Sequence, residues 1–230
     1  MTKGSYLLSQ ERLLSIARQA QIRGEPIPDY VEEQAKKYGL RLSIFDEPSK
    51  NHDGWNKKMK RHKDDWYPTP PEAVHALLSN ERFDKTIWEP AAGDGALAKC
   101  CELAGYKVIA SDLNDYGYCQ SGVDFLMEQS RAADHLITNP PYKLAEAFIT
   151  HAIGLGCTKH AWLLRLSFLE GIQRYWRLFS MNPPAKIYVF SRRLTIWRGD
   201  QEVSGSGTTA YAWFVWEADY FDDPVVRWLT

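Results

Sequence analysis

Four residues of this chain carry the plainest chemical signal: Asn139-Pro-Pro-Tyr142, directly after the apolar run Asp134-His-Leu-Ile-Thr138. Two consecutive prolines fix the backbone and expose carbonyls that no longer enter a ladder. The Asn139 side-chain oxygen and the Pro140 carbonyl can act as a pair of acceptors, Pro141 completes the turn, and the Tyr142 ring offers a flat face to a planar group. Such a set suits alkylation of an amino group conjugated to a ring or carbonyl. Its lone pair is delocalised and weakly nucleophilic, so both N–H bonds must be held while the electrophile approaches in line. Positioning and polarisation do this work, without a strong base or a metal.

A second constellation is Glu89-Pro-Ala-Ala-Gly-Asp-Gly-Ala-Leu97. Gly93 and Gly95 permit a tight turn and a close backbone approach to a ligand, and a following helix would offer free N–H groups. The third glycine of a dinucleotide fingerprint is missing, and two acids, Glu89 and Asp94, bracket the loop. Acids repel a pyrophosphate but suit a ligand bearing an ammonium and a sulfonium, which favours S-adenosylmethionine over NAD. Asp112 lies nineteen residues beyond Gly93, where a carboxylate can accept from both hydroxyls of a ribose. Asp124 and Phe125 form a weaker pair that could accept from an adenine amino group and lie against its face.

These residues need elements to hold them. Short apolar runs at Thr86–Glu89, Lys107–Ser111, Asp134–Thr138, His160–Leu166, Lys186–Phe190 and Ala210–Trp216 read as strands. Helices are expected over 96–104, 143–153 and 170–179. This alternation predicts an α/β sheet covered on both faces, with sites at the carboxyl ends of its strands. Trp213 and Trp216 then fall on opposite faces of one strand and read as packing. Ahead of this region, Ser9 can cap a helix through Arg23 with Leu13, Ile16, Ala17 and Ala20 on one face, and a second runs from Tyr30 to Tyr38. Two short helices joined by a turn are either a packing appendage or a DNA-reading helix pair. The expected division is a helical appendage over 1–45, a linker with a basic end (Lys57, Lys58, Lys60, Arg61, Lys63) over 46–65, and the main domain over 66–230.

The 230 residues carry 28 Lys and Arg against 29 Asp and Glu, a net charge of -1, with a mean hydropathy of -0.43. That balance excludes a bulk polycation that coats nucleic acid, though not a local basic face. No apolar run approaches the ~18 residues of a membrane span, and no secretory h-region opens the chain. The four cysteines lack metal-ligand spacing and read as reduced thiols of a cytoplasmic protein. His75, His135, His151 and His160 share no spacing, so no metal is assigned.

Taken together, Trp66-Tyr-Pro-Thr-Pro-Pro-Glu-Ala-Val74, Glu89 to Leu97, Asp112, Asp124-Phe125 and Asn139 to Tyr142 resemble the motifs of class I S-adenosylmethionine-dependent DNA adenine N6-methyltransferases. The likeness is to the compact enzymes of phages and prophages, such as serve restriction-modification or regulation, and it spans roughly 66–217. It implies a Rossmann-like methyltransferase fold: a mostly parallel seven-stranded sheet with an antiparallel last strand, plus the small N-terminal helical appendage. It also implies roles. Tyr67, Pro68 and Thr69 would line the methionine end of the cofactor. Glu89, Ala91, Gly93 and Gly95 would form the cofactor loop, Asp112 would hold the ribose, and Asp124 with Phe125 the cofactor adenine. Asn139, Pro140, Pro141 and Tyr142 would hold a flipped target adenine. The family often adds an aromatic residue after the sixth strand, for which Trp197 is an imperfect match.

Charge suggests where nucleic acid enters. Between Lys159 and Arg198 there are eight basic residues and one acid, Glu170. Arg165, Arg174, Arg192, Arg193, Trp197 and Arg198 are the candidate contacts, and internal pairing of several arginines is the competing reading. The Gly- and Ser-rich stretch 198–209 could close over the site. With no large recognition domain after the last strand, short or relaxed sequence recognition is expected, along with a monomer that binds neither membrane nor metal. The same Asn-Pro-Pro-Tyr logic would serve an RNA adenine or guanine amino-group methyltransferase, or a protein glutamine N-methyltransferase.

Overall fold

A computed structural model describes residues 13, 17, 26–37, 67–196, 209–220 and 222–230. The chain divides into two compact units, residues 1–61 and 62–230. In the first, α1 (Asp29–Lys37) buries Val31 and Ala35, four residues apart on one face. Asp29 and Glu32 in its first turn, Lys36 and Lys37 in its last, both complement the helix dipole. Leu13 and Ala17 are helical and buried. The rest of the expected Ser9–Arg23 helix and the basic linker lie outside the described residues.

The second unit is a seven-stranded sheet: β1 (Thr86–Glu89), β2 (Lys107–Ala110), β3 (His135–Thr138), β4 (Lys159–Arg165), β5 (Lys186–Phe190), β6 (Tyr211–Glu217) and β7 (Val225–Leu229). Their order is β2-β1-β3-β4-β6-β5-β7. Only β6 runs antiparallel to its neighbours, so the mostly parallel α/β architecture expected from the sequence is the one observed. The strand expected at 210–216 is the antiparallel one. After it comes β7, which the sequence pattern did not reveal, parallel to β5 and at the sheet's edge.

Alternation along the strands builds two cores. Ile87, Ile137, Ala161, Leu163, Trp213 and Val215 face one side of the sheet, where α2 (Pro71–Asn80) and α3 (Ala96–Leu103) cover them. Trp88, Leu136, Trp162, Leu164, Phe214 and Trp216 face the other, under α4 (Ala145–Gly154). The helices read in the sequence from their apolar spacing bury that stripe: Ala145, Phe148, Ile149 and Ala152 sit at i, i+3, i+4 and i+7 of α4. Helix α2 starts with Pro70 and Pro71, whose missing N–H groups would have no intrahelical partner there. Trp213 and Trp216 do lie in opposite cores, and each indole N–H finds a backbone carbonyl, Ala73 and Asn182 respectively. The expected helix over 170–179 is instead a short turn, α5 (Ile172–Arg174), running into a π-helical turn at Tyr175–Phe179.

Strand order reverses between β1 and β3, and such a switch point opens a crevice at the strands' carboxyl ends. Here the opening is pronounced. β1 pairs with β2 over four residues, but with β3 only through Ile87↔His135 and Trp88↔Leu136.

Candidate active site

Glu89 ends β1, Asp112 follows β2 and Asn139 follows β3, so three strand ends deliver one side chain each to the switch point. With Tyr67, Pro68 and Thr69 from the segment ahead of α2, and Ala91, Gly93 and Pro141, they line a solvent-open cleft. Sequence residues scattered over 67–141 thus meet in one place.

The β1 loop is built for close approach. Gly93 has φ 56°, a conformation costly to other residues, and Asp112 fixes the loop from the end of the neighbouring strand β2. One carboxylate oxygen of Asp112 accepts from Gly93 N at 2.9 Å, and the other from Asn114 N at 2.8 Å. A carboxylate has about four acceptor sites, so these bonds do not exhaust it.

Glu89 is the electrostatic anomaly of the cleft. It is 1% exposed, and burial pushes its carboxyl well above the ordinary value, with Asp112 and Asp94 adding to the rise and a hydrogen bond from the Ala98 amide opposing it. Its Oε2 is buried with no hydrogen-bond partner among the described residues. An orphaned acid oxygen on the wall of a cleft that also holds Asp94 and Asp112 calls for a cationic group.

At the other end, Asn139 is pinned. Its Nδ2 donates to the Tyr67 carbonyl at 3.0 Å and to Thr69 Oγ1 at 3.2 Å. Both amide protons are engaged, which leaves Oδ1 for an incoming donor. The Pro141 carbonyl accepts from Leu144 N at 2.8 Å as the chain turns into α4, so the Pro140 carbonyl is the candidate second acceptor. Tyr142 sits among Tyr67 (centroids 5.7 Å apart) and Tyr211 (5.9 Å), with the Arg165 guanidinium 4.9 Å over its ring. Burial, with Tyr211 alongside, holds its phenol well above the ordinary value, so the ring stays neutral.

Several expected site residues fall elsewhere. Phe125 is 2% exposed and packs against Trp88, Phe148 and His151, because its apolar ring completes the core under α4; it presents no face to the cleft. Asp124 caps the turn at Leu126 through Oδ1 and, like Pro140 and Tyr142, is not among the residues that line the cleft. Asn114 and Tyr116 do line it. They belong to a loop closed by the Ser111↔Gln120 bridge, and an aromatic four residues past the β2 acid was the available signal for them. Arg174 is turned inward: it donates to the Phe168 and Glu170 carbonyls, covers the Phe168 ring at 4.2 Å and, like Arg177, approaches Glu146. Lys159 and Lys186 bind Glu81 and Glu217 near the opposite ends of the strands. The basic stretch is therefore not one patch. Arg165, Arg192 and Arg193 are exposed, while Trp197, Arg198 and the segment to 208 lie outside the described residues.

Among the described residues no His, Cys, Asp or Glu group could hold a metal, and no helix is long and apolar enough to cross a membrane. No family model and no curated protein matches the chain. Solved structures do. A protein described as an RNA methyltransferase of Pyrococcus horikoshii is 20% identical over 66% of this chain and 85% of its own, with a TM-score of 0.46. A SAM-dependent O-methyltransferase of Thermotoga maritima is 15% identical over 72% of this chain and 70% of its own, TM-score 0.43. A protein described as the modification subunit of a type I restriction enzyme of Vibrio vulnificus YJ016 is 10% identical over 99% of this chain and 54% of its own, TM-score 0.49. At these identities the likeness is one of chain path; the chemistry rests on the site's own side chains.

Proposed function

We propose that this chain transfers a methyl group from S-adenosylmethionine to the N6 amino group of an adenine in DNA. The carrying observation is the Asn139 amide, whose two protons are held by Tyr67 and Thr69 so that its oxygen is left for an amine donor. S-adenosylmethionine, when bound, supplies a methyl group on a positively charged sulfur that departs as a neutral thioether. The cleft's donor set fits it: Glu89 would meet the ammonium with its orphaned oxygen, Asp112 would take ribose hydroxyls, and Tyr67 to Thr69 would flank the amino-acid end.

The chain's own residues then need only to hold and exclude. Asn139 Oδ1 and the Pro140 carbonyl would accept the two N–H bonds of the adenine amino group, drawing its lone pair away from the ring. Tyr142 would stack on the base. In duplex DNA the amino group is paired and stacked, so the base must leave the helix to reach Asn139. Exposed cationic groups at Arg165, Arg192 and Arg193 support a polyanionic substrate over a protein.

The test is direct: protein, S-adenosylmethionine and unmethylated duplex DNA are incubated, and the digested nucleosides are read by mass spectrometry. N6-methyl-2′-deoxyadenosine is the expected product. Methyl groups found only in RNA or on glutamine would overturn the DNA assignment.

A further inference from the structure

Thr69 does more than line the cleft. The Asn139 amide could sit in two orientations related by a half-turn of its terminal bond, and only one presents an acceptor to an amine. A carbonyl can only accept, so Tyr67 O always favours the productive orientation. A threonine hydroxyl has no such preference. As it stands, Thr69 Oγ1 accepts from Nδ2; with its own proton turned toward Asn139, it would equally well bond the flipped amide's oxygen.

What the cleft holds sets which way the hydroxyl faces, and so how firmly Thr69 adds to the hold of the Tyr67 carbonyl. Its acids, Glu89, Asp94 and Asp112, stand together on the β1 and β2 loops, while its other end, Tyr67, Thr69 and Asn139, is neutral. A zwitterionic ligand must put its carboxylate away from the acids, at that neutral end. Thr69 is 5% exposed and lines the cleft there, so its hydroxyl is one donor that this end offers to such a carboxylate.

We infer that Thr69 is a positioning residue that couples the two halves of the site: a carboxylate bound in the cleft draws the Thr69 proton, obliges Oγ1 to accept from Asn139, and so locks the amide with its oxygen toward the substrate. The inference rests on the cofactor reading above, though not on DNA as the acceptor. It makes productive acceptor binding follow cofactor binding, and by reciprocity each ligand strengthens the other.

Side-chain amide exchange of ¹⁵N-labelled full-length protein tests this without any methyl acceptor. The Asn139 resonances are assigned by their loss in Asn139→Ala. Saturating S-adenosylhomocysteine, which keeps the carboxylate, should slow exchange of the Asn139 amide protons about fivefold, the worth of one neutral hydrogen bond. Thr69→Ser should keep that slowing and Thr69→Val should lose it. Equal slowing in wild type and Thr69→Val, with S-adenosylhomocysteine bound in both, would overturn the relay and leave the cofactor reading standing. Failure of the wild type to bind S-adenosylhomocysteine would overturn both.

Discussion

The ring of Tyr118 lies against the α-carbon of Gly95: a β-carbon there would come within 2.4 to 2.5 Å of three of its ring atoms. Gly95 also has φ +79° and stands at the amino end of α3. The ring is in turn covered by the Lys99 ammonium, 4.8 Å from its centroid, and Lys99 is tied to the Asp94 carbonyl. One aromatic side chain thereby clamps the loop that carries Gly93 and Asp94.

Gly95→Ala should accordingly destabilise the protein by the left-handed strain, roughly 1–2 kcal/mol, plus the cost of moving Tyr118. The same change in a Tyr118→Ala background should show the strain alone. Thermal unfolding of the four proteins forms the cycle, and a Gly95→Ala penalty identical in both backgrounds would show that the ring does not press on this glycine.

Glu89→Gln should raise stability and weaken the cofactor together. The folded carboxyl titrates above its ordinary value of 4.5, so the folded state binds more protons than the unfolded one and loses stability as pH rises from the unfolded value through the folded one. The glutamine variant lacks that loss, so its melting-temperature advantage should grow from pH 5 to pH 8. Its affinity for S-adenosylhomocysteine should fall at least about tenfold, the worth of one charged hydrogen bond. Undiminished affinity, measured by calorimetry, would remove Glu89 from the ammonium site.

Asn139→Ala should lower methyl transfer by about 10²–10³-fold, the usual cost of one preorganised polar group at a reacting centre. Binding of S-adenosylhomocysteine should be nearly unchanged. Equal loss of both would mean that Asn139 acts on the cofactor rather than on the amine.

His160 sets the acid limit. It is 2% exposed, accepts from the Trp162 indole at Nδ1 and stacks on Trp216, and burial pushes its pKa down to about 3. The unfolded chain takes up this proton below about pH 6.5 while the folded one does not. Stability should therefore fall as pH drops from about 6.5 toward 3, by up to ~1.4 kcal/mol per pH unit from this residue. Chemical denaturation across that range should show a shallower decline in His160→Gln.

Glu81 holds the far end of the sheet. Buried at the carboxyl cap of α2, it binds Lys159 and Lys186 and accepts from the Tyr188 hydroxyl, and these partners draw its pKa down against the upward effect of burial. Glu81→Gln leaves two ammonium groups with only Glu217 to answer them, and breaking such buried pairs costs about 3–5 kcal/mol. Denaturant midpoints should drop sharply while S-adenosylhomocysteine binding in the remaining folded protein is unchanged, since the cleft lies at the opposite strand ends.

The parts legible in the sequence were those where local pattern and global position coincide. Glu89, Asp112 and Asn139 each follow a short apolar run, and strand ends are where a parallel sheet presents side chains. Where one residue type serves two environments, the pattern misleads. Phe125 beside an acid reads like a base-stacking ring, yet an apolar ring is worth more in the core under α4. Arg174 counts as a cation in any charge tally, but its five donors suit the bare carbonyls of Phe168 and Glu170 equally well. β7 escaped because Val225, Val226, Arg227 and Trp228 are all exposed, so no alternation marks the strand. Tyr116 lines the cleft from a loop that folds back so that Gln120 bridges Ser111, and its spacing from Asp112 alone does not announce that turn.

The brief pairing of β1 with β3 has a consequence for how such a molecule changes over time. Because the ladder ends at Trp88↔Leu136, no strand pairing joins the chain at Glu89 to the chain at Asn139, and both residues line the gap. Asn139 is not free to change with the rest, since it ties the Tyr67 carbonyl and the Thr69 hydroxyl across that gap while facing whatever enters it. Scaffold and selectivity meet in that one side chain.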